Sequence, residues 1–338
     1  MQNSTAADTK QETSVELDGV RTALPASGDG YGYRRDVNLP FREALDKTYE
    51  TLKAEGFGVL TEIDLKAKFN EKLGVDFLAL SFVRSAQDIH DARAAILAAR
   101  KDIPESQGRP PTPIIAKIEK PEAVDRLEEI IEAADGIMVA RGDLGVEVGD
   151  AELIGIQKQL IRKARRADRV VITATQMMES MVYNPIPTRA EVFDVANAVL
   201  DGTDAVMLSA ESASGRHPVE AVTAMATTCL GAETYPDVRR SSYRVDRSFT
   251  RIDEAIAMAA VYAANHLERV VGMVCLTESG ATALRMSRLG SGLPIYALSR
   301  HPEVIRRMCL YRGVQPLLFD YTASASGEVA QDAVRELQ

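Results

Sequence analysis

The sequence has few cysteines, no long apolar run and no excess of basic residues, and each absence excludes a class of protein. Its 338 residues include only three cysteines, which lie far apart without a CxxC spacing: Cys229, Cys275 and Cys309. This pattern excludes a disulfide scaffold and a cysteine-based zinc site, and it is typical of a reducing compartment. No apolar run approaches the ~20 residues that span a membrane. The first residues also lack the basic-then-apolar pattern of a signal peptide. We therefore expect a cytoplasmic protein with no membrane partner.

The charge balance of the chain limits the classes of binding partner that we expect. Lys and Arg number 40 and Asp and Glu number 49, which gives a formal net charge of −9. An acidic chain is not generally attracted to a polyphosphate, so we expect no nucleic acid partner. Apolar residues make up 46% of the chain, which is ordinary globular usage and excludes wholesale disorder. The length is that of about two domains at ~150 residues each.

The first 77 residues differ in texture from the rest. Residues 1–30 are polar and rich in Gly, Ser and Thr, so we expect a disordered tail there. Residues 31–77 alternate strand-like and helix-like stretches, which predicts a β-α-β-α fragment. A fragment of under about fifty residues is too small to bury a good core alone.

From residue 78 onward, apolar strands and helices alternate regularly. The strand candidates are LALSFV (78–83), PIIAKI (113–118), GIMVAR (136–141), VVITAT (170–175) and DAVMLS (204–209). Near-continuous apolar strands that alternate with helices predict a parallel sheet covered on both faces. Two architectures fit this pattern, a part of a (β/α)₈ barrel and an open doubly wound sheet. In both, a ligand lies beyond the carboxyl ends of the strands.

A charged segment at 236–251 has little apolar content and marks a domain boundary. After it come an apolar helix and three more strand candidates, VVGMVCLT, LPIYALS and VQPLLFD, separated by helices. Residues 252–338 are therefore expected to form a second, smaller α/β domain.

The segment 114–122 contains the first candidate site. Lys117 and Glu119 stand two residues apart on a strand or its end, so their side chains share one side of the sheet. A partly buried ion pair explains such a spacing in most chains. The functional alternative is a metal-binding carboxylate next to a cation.

The segment 138–145 follows the next strand with Arg141, Gly142 and Asp143. Gly142 permits close approach of the main chain to a ligand, and Asp143 offers a hard oxygen ligand. A Gly-Asp pair alone usually marks only a turn. Glu119 and Asp143 on consecutive strands could nevertheless hold one Mg²⁺, which takes one or two carboxylates plus substrate oxygens.

Two further segments carry weaker signals. Thr175 and Gln176 end the fourth strand candidate, where a hydroxyl is often only a local cap. The TESGAT segment precedes a helix and supplies a possible anion site from Thr277, Ser279, Gly280 and Thr282. Such loops are also ordinary helix caps.

Taken together, five long motifs resemble the pyruvate kinase family, most closely its bacterial branch. They are KIEKPEAV, GIMVARGDLGVE, VITATQMMESM, NPIPTRAEVFDVANAVLDGTDAVMLSAESA and HPVEAV, in this order. The resemblance covers about residues 78–338. It implies that 78–236 form the later five βα units of a TIM-type barrel and that 252–338 form an incomplete doubly wound α/β domain. The implied reaction is the glycolytic transfer of phosphoryl from phosphoenolpyruvate to ADP, which gives pyruvate and ATP.

The resemblance also implies residue roles. Lys117 would stabilise the transferring phosphoryl group and the enolate, while Glu119 and Asp143 would bind Mg²⁺. The backbone of Arg141, Gly142 and Asp143, together with Thr175, would hold the substrate carboxylate. Thr175 would also lie on the proton route to the enolate. The loop at 277–282 resembles the family's effector-phosphate loop, and 177–204 resembles a subunit interface, which implies a homo-oligomer.

The chain also departs from the family pattern. The family begins its barrel with three βα units before LALSF, inserts a capping domain, and binds nucleotide and K⁺ through residues without a counterpart in 1–77. Residues 31–77 instead resemble a small bacterial domain family of unknown function. The alternatives are therefore an active pyruvate kinase and a truncated or chimeric relic that retains a Mg²⁺/oxyacid half-site or an oligomerisation role. A third alternative is an enolate lyase or aldolase on a similar barrel. If the sheet is incomplete, the fragment at 31–77, with residues 57–63 next to the first strand, or another chain would have to cover its open edge; otherwise the protein would fold poorly.

Overall fold

The computed structural model describes residues 75–101, 111–235, 248–323 and 328–336. All of them belong to one compact unit, Phe69–Gln338. The predicted tail at 1–30, nearly all of the predicted β-α-β-α fragment and the proposed edge segment 57–63 lie outside the described residues.

The first sheet has five parallel strands that neighbour one another in chain order. They are β1 (Leu78–Leu80), β2 (Ile114–Ile118), β3 (Gly136–Ala140), β4 (Val170–Ala174) and β5 (Ala205–Met207). All five predicted strands are confirmed. A doubly wound sheet reverses its strand order at a switch point. The unreversed order therefore selects the barrel-type architecture over the open sheet.

Close packing explains the glycine that begins β3. Gly136 is aligned with Val170 of β4, and a Cβ at this position would lie 2.9 Å from the Val170 carbonyl oxygen. Real Cβ atoms essentially never approach so closely. Glycine therefore lets the two strands pair here.

Helices follow each strand of the first sheet. They are α1 (Ala86–Lys101), α2 (Pro121–Asp125), α3 (Leu127–Ala133), α4 (Arg141–Val148), α5 (Asp150–Arg166), α6 (Arg189–Asp201), α7 (Ala210–Ala213) and α8 (Pro218–Glu233), with a 3₁₀ turn at Glu179–Val182. The Thr188 hydroxyl caps α6 by accepting the Glu191 N–H, and the Glu191 carboxylate accepts the Thr188 N–H in return. Gly202 ends α6 in the left-handed conformation, with φ of 95°. Sequence and structure therefore agree on both ends of this helix.

The second part of the unit contains a three-stranded parallel sheet, again in chain order. Its elements are α9 (Ile252–His266), β6 (Met273–Leu276), α10 (Ala281–Leu289), β7 (Ile295–Ser299), α11 (Pro302–Met308), β8 (Val314–Leu318), a 3₁₀ turn at Tyr321–Ala323 and α12 (Val329–Glu336). The prediction of a smaller α/β domain is confirmed. Within the described part of the chain, no helix has the length and apolar character needed to cross a membrane.

The two faces of the first sheet are buried against different partners. Ile114, Ala116 and Ile118 of β2 belong to a core shared with α1, α3 and α5. The alternate residue Ile115 belongs to a smaller cluster with Met138 and Ile172, against which Leu284, Leu310 and Tyr311 of the second part also pack. The alternation of strand side chains thus divides the apolar residues between the surrounding helices and the second domain.

Candidate functional site

Polar side chains follow β1, β2, β3 and β4 where these strands end. Parallel strands in register place their carboxyl ends at one edge of the sheet, so residues distant in sequence become neighbours there. This edge contains Lys117 and Glu119 from β2, Arg141, Gly142 and Asp143 after β3, and Thr175 and Gln176 after β4. The fold therefore brings these candidate residues to one edge of the sheet.

Lys117 and Glu119 form an ion pair in which the carboxylate is the buried partner. Lys117 Nζ lies 2.5 Å from Glu119 Oε1 and donates to Ser81 Oγ at 3.1 Å. Glu119 Oε2 accepts the Phe82 N–H at 2.6 Å, and the Glu119 side chain is only 1% exposed. Among the described residues, no donor makes a hydrogen bond of ordinary geometry to Oε1. That oxygen is therefore held by charge alone and is suited to a second cation.

The Asp143 carboxylate is exposed, whereas that of Glu119 is buried. Asp143 lies in the first turn of α4, and no described residue pairs or hydrogen-bonds with its side chain. Nor does any group of three or more His, Cys, Asp or Glu side chains form a metal cage within the described ranges. The chemistry of the Glu119 and Asp143 carboxylates suits Mg²⁺, which commonly takes one or two carboxylates and its other ligands from substrate and water.

Thr175 and Gln176 adopt an uncommon backbone conformation directly after β4. Their φ angles are 69° and 54°, in the left-handed region that costs L-residues energy. Thr175 Oγ1 accepts the Gly142 N–H at 2.7 Å and donates to the Ala174 carbonyl at 2.6 Å. The hydroxyl therefore makes one local bond, to Ala174, and its second bond, with Gly142, links the end of β4 to the first turn of α4.

The Arg141 guanidinium is turned toward protein groups. It donates to the carbonyl oxygens of Thr175 at 2.7 Å and Gln176 at 3.1 Å, and to both carboxylate oxygens of Asp194 at 2.7 Å. All three guanidinium nitrogens are used, since Nε also reaches the Thr175 carbonyl at 3.2 Å. The Arg141 side chain is therefore occupied by protein groups, and a ligand-binding role of its main chain stays a prediction.

Asp194 is the residue at this edge that sequence reasoning missed. It lies on α6, a helix from which no site residue is predicted by the sequence. The sequence alone carries a single indirect signal, because a buried arginine requires a counter-charge. Which acidic side chain supplies it depends on how α6 packs beside β4.

The second candidate, the TESGAT segment, forms a capped helix start at the carboxyl end of β6. Thr277 is buried and its Oγ1 accepts the Gly280 N–H at 2.9 Å, while Ser279 Oγ accepts the Ala281 N–H at 3.4 Å. Gly280 has φ of 83°, which favours glycine. Thr282 lies in the first turn of α10. Both capping hydroxyls are therefore engaged locally, and anion binding at this loop stays a prediction.

Glu278 of this segment pairs with two side chains that follow β7. His301 Nε2 lies 2.7 Å from Glu278 Oε2, and Arg300 Nε lies 3.3 Å from Glu278 Oε1. The hydrogen bond from His301, followed by that from Arg300, lowers the pKa of the Glu278 carboxyl. The TESGAT segment thus contains a carboxyl group whose ionised form is stabilised by these hydrogen bonds.

Comparison with known proteins identifies family models for both parts of the chain. The model described as pyruvate kinase, barrel domain matches residues 51–222, and the model described as pyruvate kinase, alpha/beta domain matches residues 254–338. The first match begins upstream of Leu78, where the sequence motifs begin.

Individual relatives agree with these models. The chain is 56% identical over 261 residues to pyruvate kinase II of Salmonella typhimurium, covering 76% of this chain and 52% of the relative. It is 52% identical over 270 residues to pyruvate kinase of Haemophilus influenzae, covering 78% and 55%. A crystal structure of a pyruvate kinase from Cryptosporidium parvum matches with a TM-score of 0.73 at 39% identity, covering 80% of this chain and 54% of that one. The chain spans about half the length of the curated relatives it matches.

Proposed function

Because this chain belongs to the pyruvate kinase family, we propose that it transfers phosphoryl from phosphoenolpyruvate to ADP, giving pyruvate and ATP. The observation that carries this proposal is the arrangement at one sheet edge of the Lys117–Glu119 pair, the first turn of α4 and the Thr175 hydroxyl. Phosphoryl transfer relies mainly on positioning and charge stabilisation, for which a cation, a metal and backbone donors are suitable groups.

Mg²⁺ would be held by Glu119, through the Oε1 atom that lacks a hydrogen bond, and by the exposed carboxylate of Asp143. When bound, this ion supplies positive charge that neutralises the phosphoryl and enolate oxygens. We propose no K⁺ ligands in this chain.

Lys117 and Thr175 divide the remaining chemistry. The bond between phosphorus and the C2 oxygen of phosphoenolpyruvate breaks, and a bond to a β-phosphate oxygen of ADP forms. The Lys117 ammonium is placed to stabilise the transferring group and the enolate oxygen left behind. The enolate then takes a proton at its CH₂ carbon, and Thr175 lies on the route of that proton.

The substrate carboxylate would bind at the first turn of α4. The N–H groups of Arg141, Gly142 and Asp143 begin this helix, and helix N-termini favour anions. The Gly142 N–H bonds to Thr175 Oγ1 in the structure, so a bound carboxylate would lie next to this hydroxyl and share the Gly142 N–H with it.

A second candidate is a chain that binds Mg²⁺ and a small oxyacid at this half-site without forming ATP, or that acts through oligomerisation. This candidate is favoured by the extent of the match, because the matched region spans only 52% and 55% of the length of two bacterial relatives. The family relation gives no support to the lyase or aldolase alternative.

A coupled assay of ATP formation from phosphoenolpyruvate and ADP with Mg²⁺ separates these candidates. Lys117→Met is expected to abolish the activity of the purified chain. Lys163→Met is the matched control, because Lys163 lies in the last turn of α5 and pairs with Glu128 rather than with a residue of the site. ATP formation that is equal in wild type and Lys117→Met would contradict the catalytic proposal. Oxalate binding with Mg²⁺ but no ATP formation in wild type would favour the second candidate.

We also propose a cytoplasmic homo-oligomer. Tyr183, Ile186 and Phe193 expose 68%, 72% and 66% of their surface within the 177–204 segment. Exposed apolar residues so close together are typical of an interface. Light scattering after size exclusion is expected to give at least a dimer, and Phe193→Glu is expected to reduce the mass to that of the monomer. A wild-type monomer would contradict this proposal.

A further inference from the structure

The end of β4 is held in a conformation that its own residues do not favour. Thr175 and Gln176 are consecutive non-glycine residues with positive φ, a conformation that is energetically unfavourable for residues with a side chain. They persist only where the surroundings determine them. Neighbouring residues must therefore supply this constraint.

The neighbour that contacts both residues is Arg141. Its Nη2 donates to the Thr175 carbonyl at 2.7 Å and to the Gln176 carbonyl at 3.1 Å. A planar guanidinium reaches both oxygens at once, which a lysine ammonium on a flexible stem does less well. The Arg141 guanidinium thus fits the positions that the two carbonyl oxygens take in this backbone conformation.

Asp194 fixes the other side of the guanidinium. Both of its carboxylate oxygens lie 2.7 Å from Arg141 Nη1, and the Arg141 side chain is only 6% exposed. Gln157 Oε1 is a weaker partner at 3.5 Å. A charge so deeply buried needs a counter-charge, and Asp194 supplies it from α6.

We propose that the side chains of Arg141 and Asp194 are positioning residues that hold Thr175 and Gln176 in the left-handed conformation. This clamp keeps Thr175 Oγ1 at the Gly142 amide, where the substrate carboxylate is proposed to bind. The inference deepens the proposed function and rests on it for its chemical meaning. The clamp itself is a property of the free protein.

The chain offers a matched control in Arg169. Its Nε and Nη2 also donate to two backbone carbonyls, those of Ile131 and Glu132, each at 3.0 Å. Arg169 precedes β4, however, so it lies at the opposite end of the strand from Thr175. Arg141→Lys and Arg169→Lys therefore remove the same kind of contact at the two ends of one strand.

The first measurement is hydrogen exchange of the Gly142 amide in the ligand-free chain, with thermal unfolding to verify that each variant is folded. We expect Arg141→Lys to exchange at least about tenfold faster than wild type, and Arg169→Lys to stay within about twofold. Asp194→Ala should resemble Arg141→Lys, and Asp194→Asn, which still accepts a hydrogen bond, should change less. Unchanged Gly142 exchange in folded Arg141→Lys and Asp194→Ala would overturn the inference.

The second measurement is oxalate binding in the presence of Mg²⁺ by calorimetry. Oxalate presents two oxygens in the arrangement of the carboxylate and enolate oxygens. The Kd is expected to rise about tenfold or more in Arg141→Lys and to be unchanged in Arg169→Lys. Equal Kd values in all variants would overturn the positioning role. If wild type binds no oxalate and forms no ATP, the proposed function fails, and Gly142 exchange still decides whether the clamp exists.

Discussion

Asp204 and Arg288 form a buried ion pair that joins the first sheet to the second domain. Asp204 immediately precedes β5, Arg288 lies in α10, and Arg288 Nη2 is 2.6 Å from Asp204 Oδ1. Their side chains are 0% and 1% exposed. Asp204 also accepts the N–H groups of Val171 at 2.9 Å and Arg312 at 3.2 Å. One carboxylate thus fastens β4, β5 and the second domain together.

Removing one partner of this pair should destabilise the protein strongly. Arg288→Met leaves the Asp204 charge buried without its cation, which costs about 3–5 kcal/mol in comparable cases. Urea denaturation measures the free energy of unfolding. Arg335→Met is the control, since it breaks the exposed pair with Asp332 and should cost no more than about 1 kcal/mol. Equal losses in the two variants would contradict a special role for the buried pair.

The contribution of Glu191 to stability should depend on pH. Partial burial raises the pKa of this carboxyl, but the hydrogen bonds from Ser180 and Thr188 together outweigh burial and leave the pKa below its usual value. A depressed folded-state pKa means that the stabilisation is present above the unfolded pKa of about 4.3 and is lost as the pH falls through the folded value. The free energy of unfolding should therefore be lower for Glu191→Gln than for wild type at pH 7, and the two values should converge near pH 3.

Thr188→Ala serves as the comparison for this experiment. It removes the cap hydroxyl of α6 and should cost about 1 kcal/mol at pH 7. A difference between wild type and Glu191→Gln that grows as the pH falls would show that the sign of the pKa shift is wrong.

The three cysteines should react with alkylating reagents at different rates. Cys309 is exposed, whereas Cys229 and Cys275 are partly buried. Burial raises the pKa of Cys275 to about 11 and also raises the pKa of Cys229. Because the thiolate is the reactive form, iodoacetamide at pH 8 should modify Cys309 first. Peptide mass spectrometry follows each site, and Cys309→Ser should remove the fast phase. Faster labelling at Cys275 would contradict the described burial.

Glu119→Gln should weaken Mg²⁺ binding while the fold is retained. The substitution preserves the shape of the side chain, but it removes the charge at Oε1 and the ion pair with Lys117. We expect the Kd for Mg²⁺ in the presence of oxalate to rise by at least about tenfold. Glu128→Gln is the control, because Glu128 is exposed and pairs with Lys163. A Kd that is unchanged in Glu119→Gln would remove Glu119 from the proposed metal site.

Much of the fold could be predicted because the pattern is local. The five strands of the first sheet coincide with five short apolar runs, and α6 begins and ends at the Thr188 and Gly202 signals. The ends of the strands were less predictable. The first apolar run extends to Val83, but β1 ends at Leu80, because Phe82 turns to a φ of 56° and gives its N–H to Glu119.

The sequence by itself determined which residue types stand at the ends of the strands, since period, turn residues and motif order are properties of the linear chain. Lys117, Glu119, Asp143 and Thr175 were named on that basis. Only the tertiary structure decided how their neighbours are used. Arg141 turns its guanidinium inward to Thr175, Gln176 and Asp194, and Asp204 is paired with Arg288, 84 residues away. Such partners depend on the packing of separate elements, because a buried charge is stabilised by whichever opposite charge the fold brings to it.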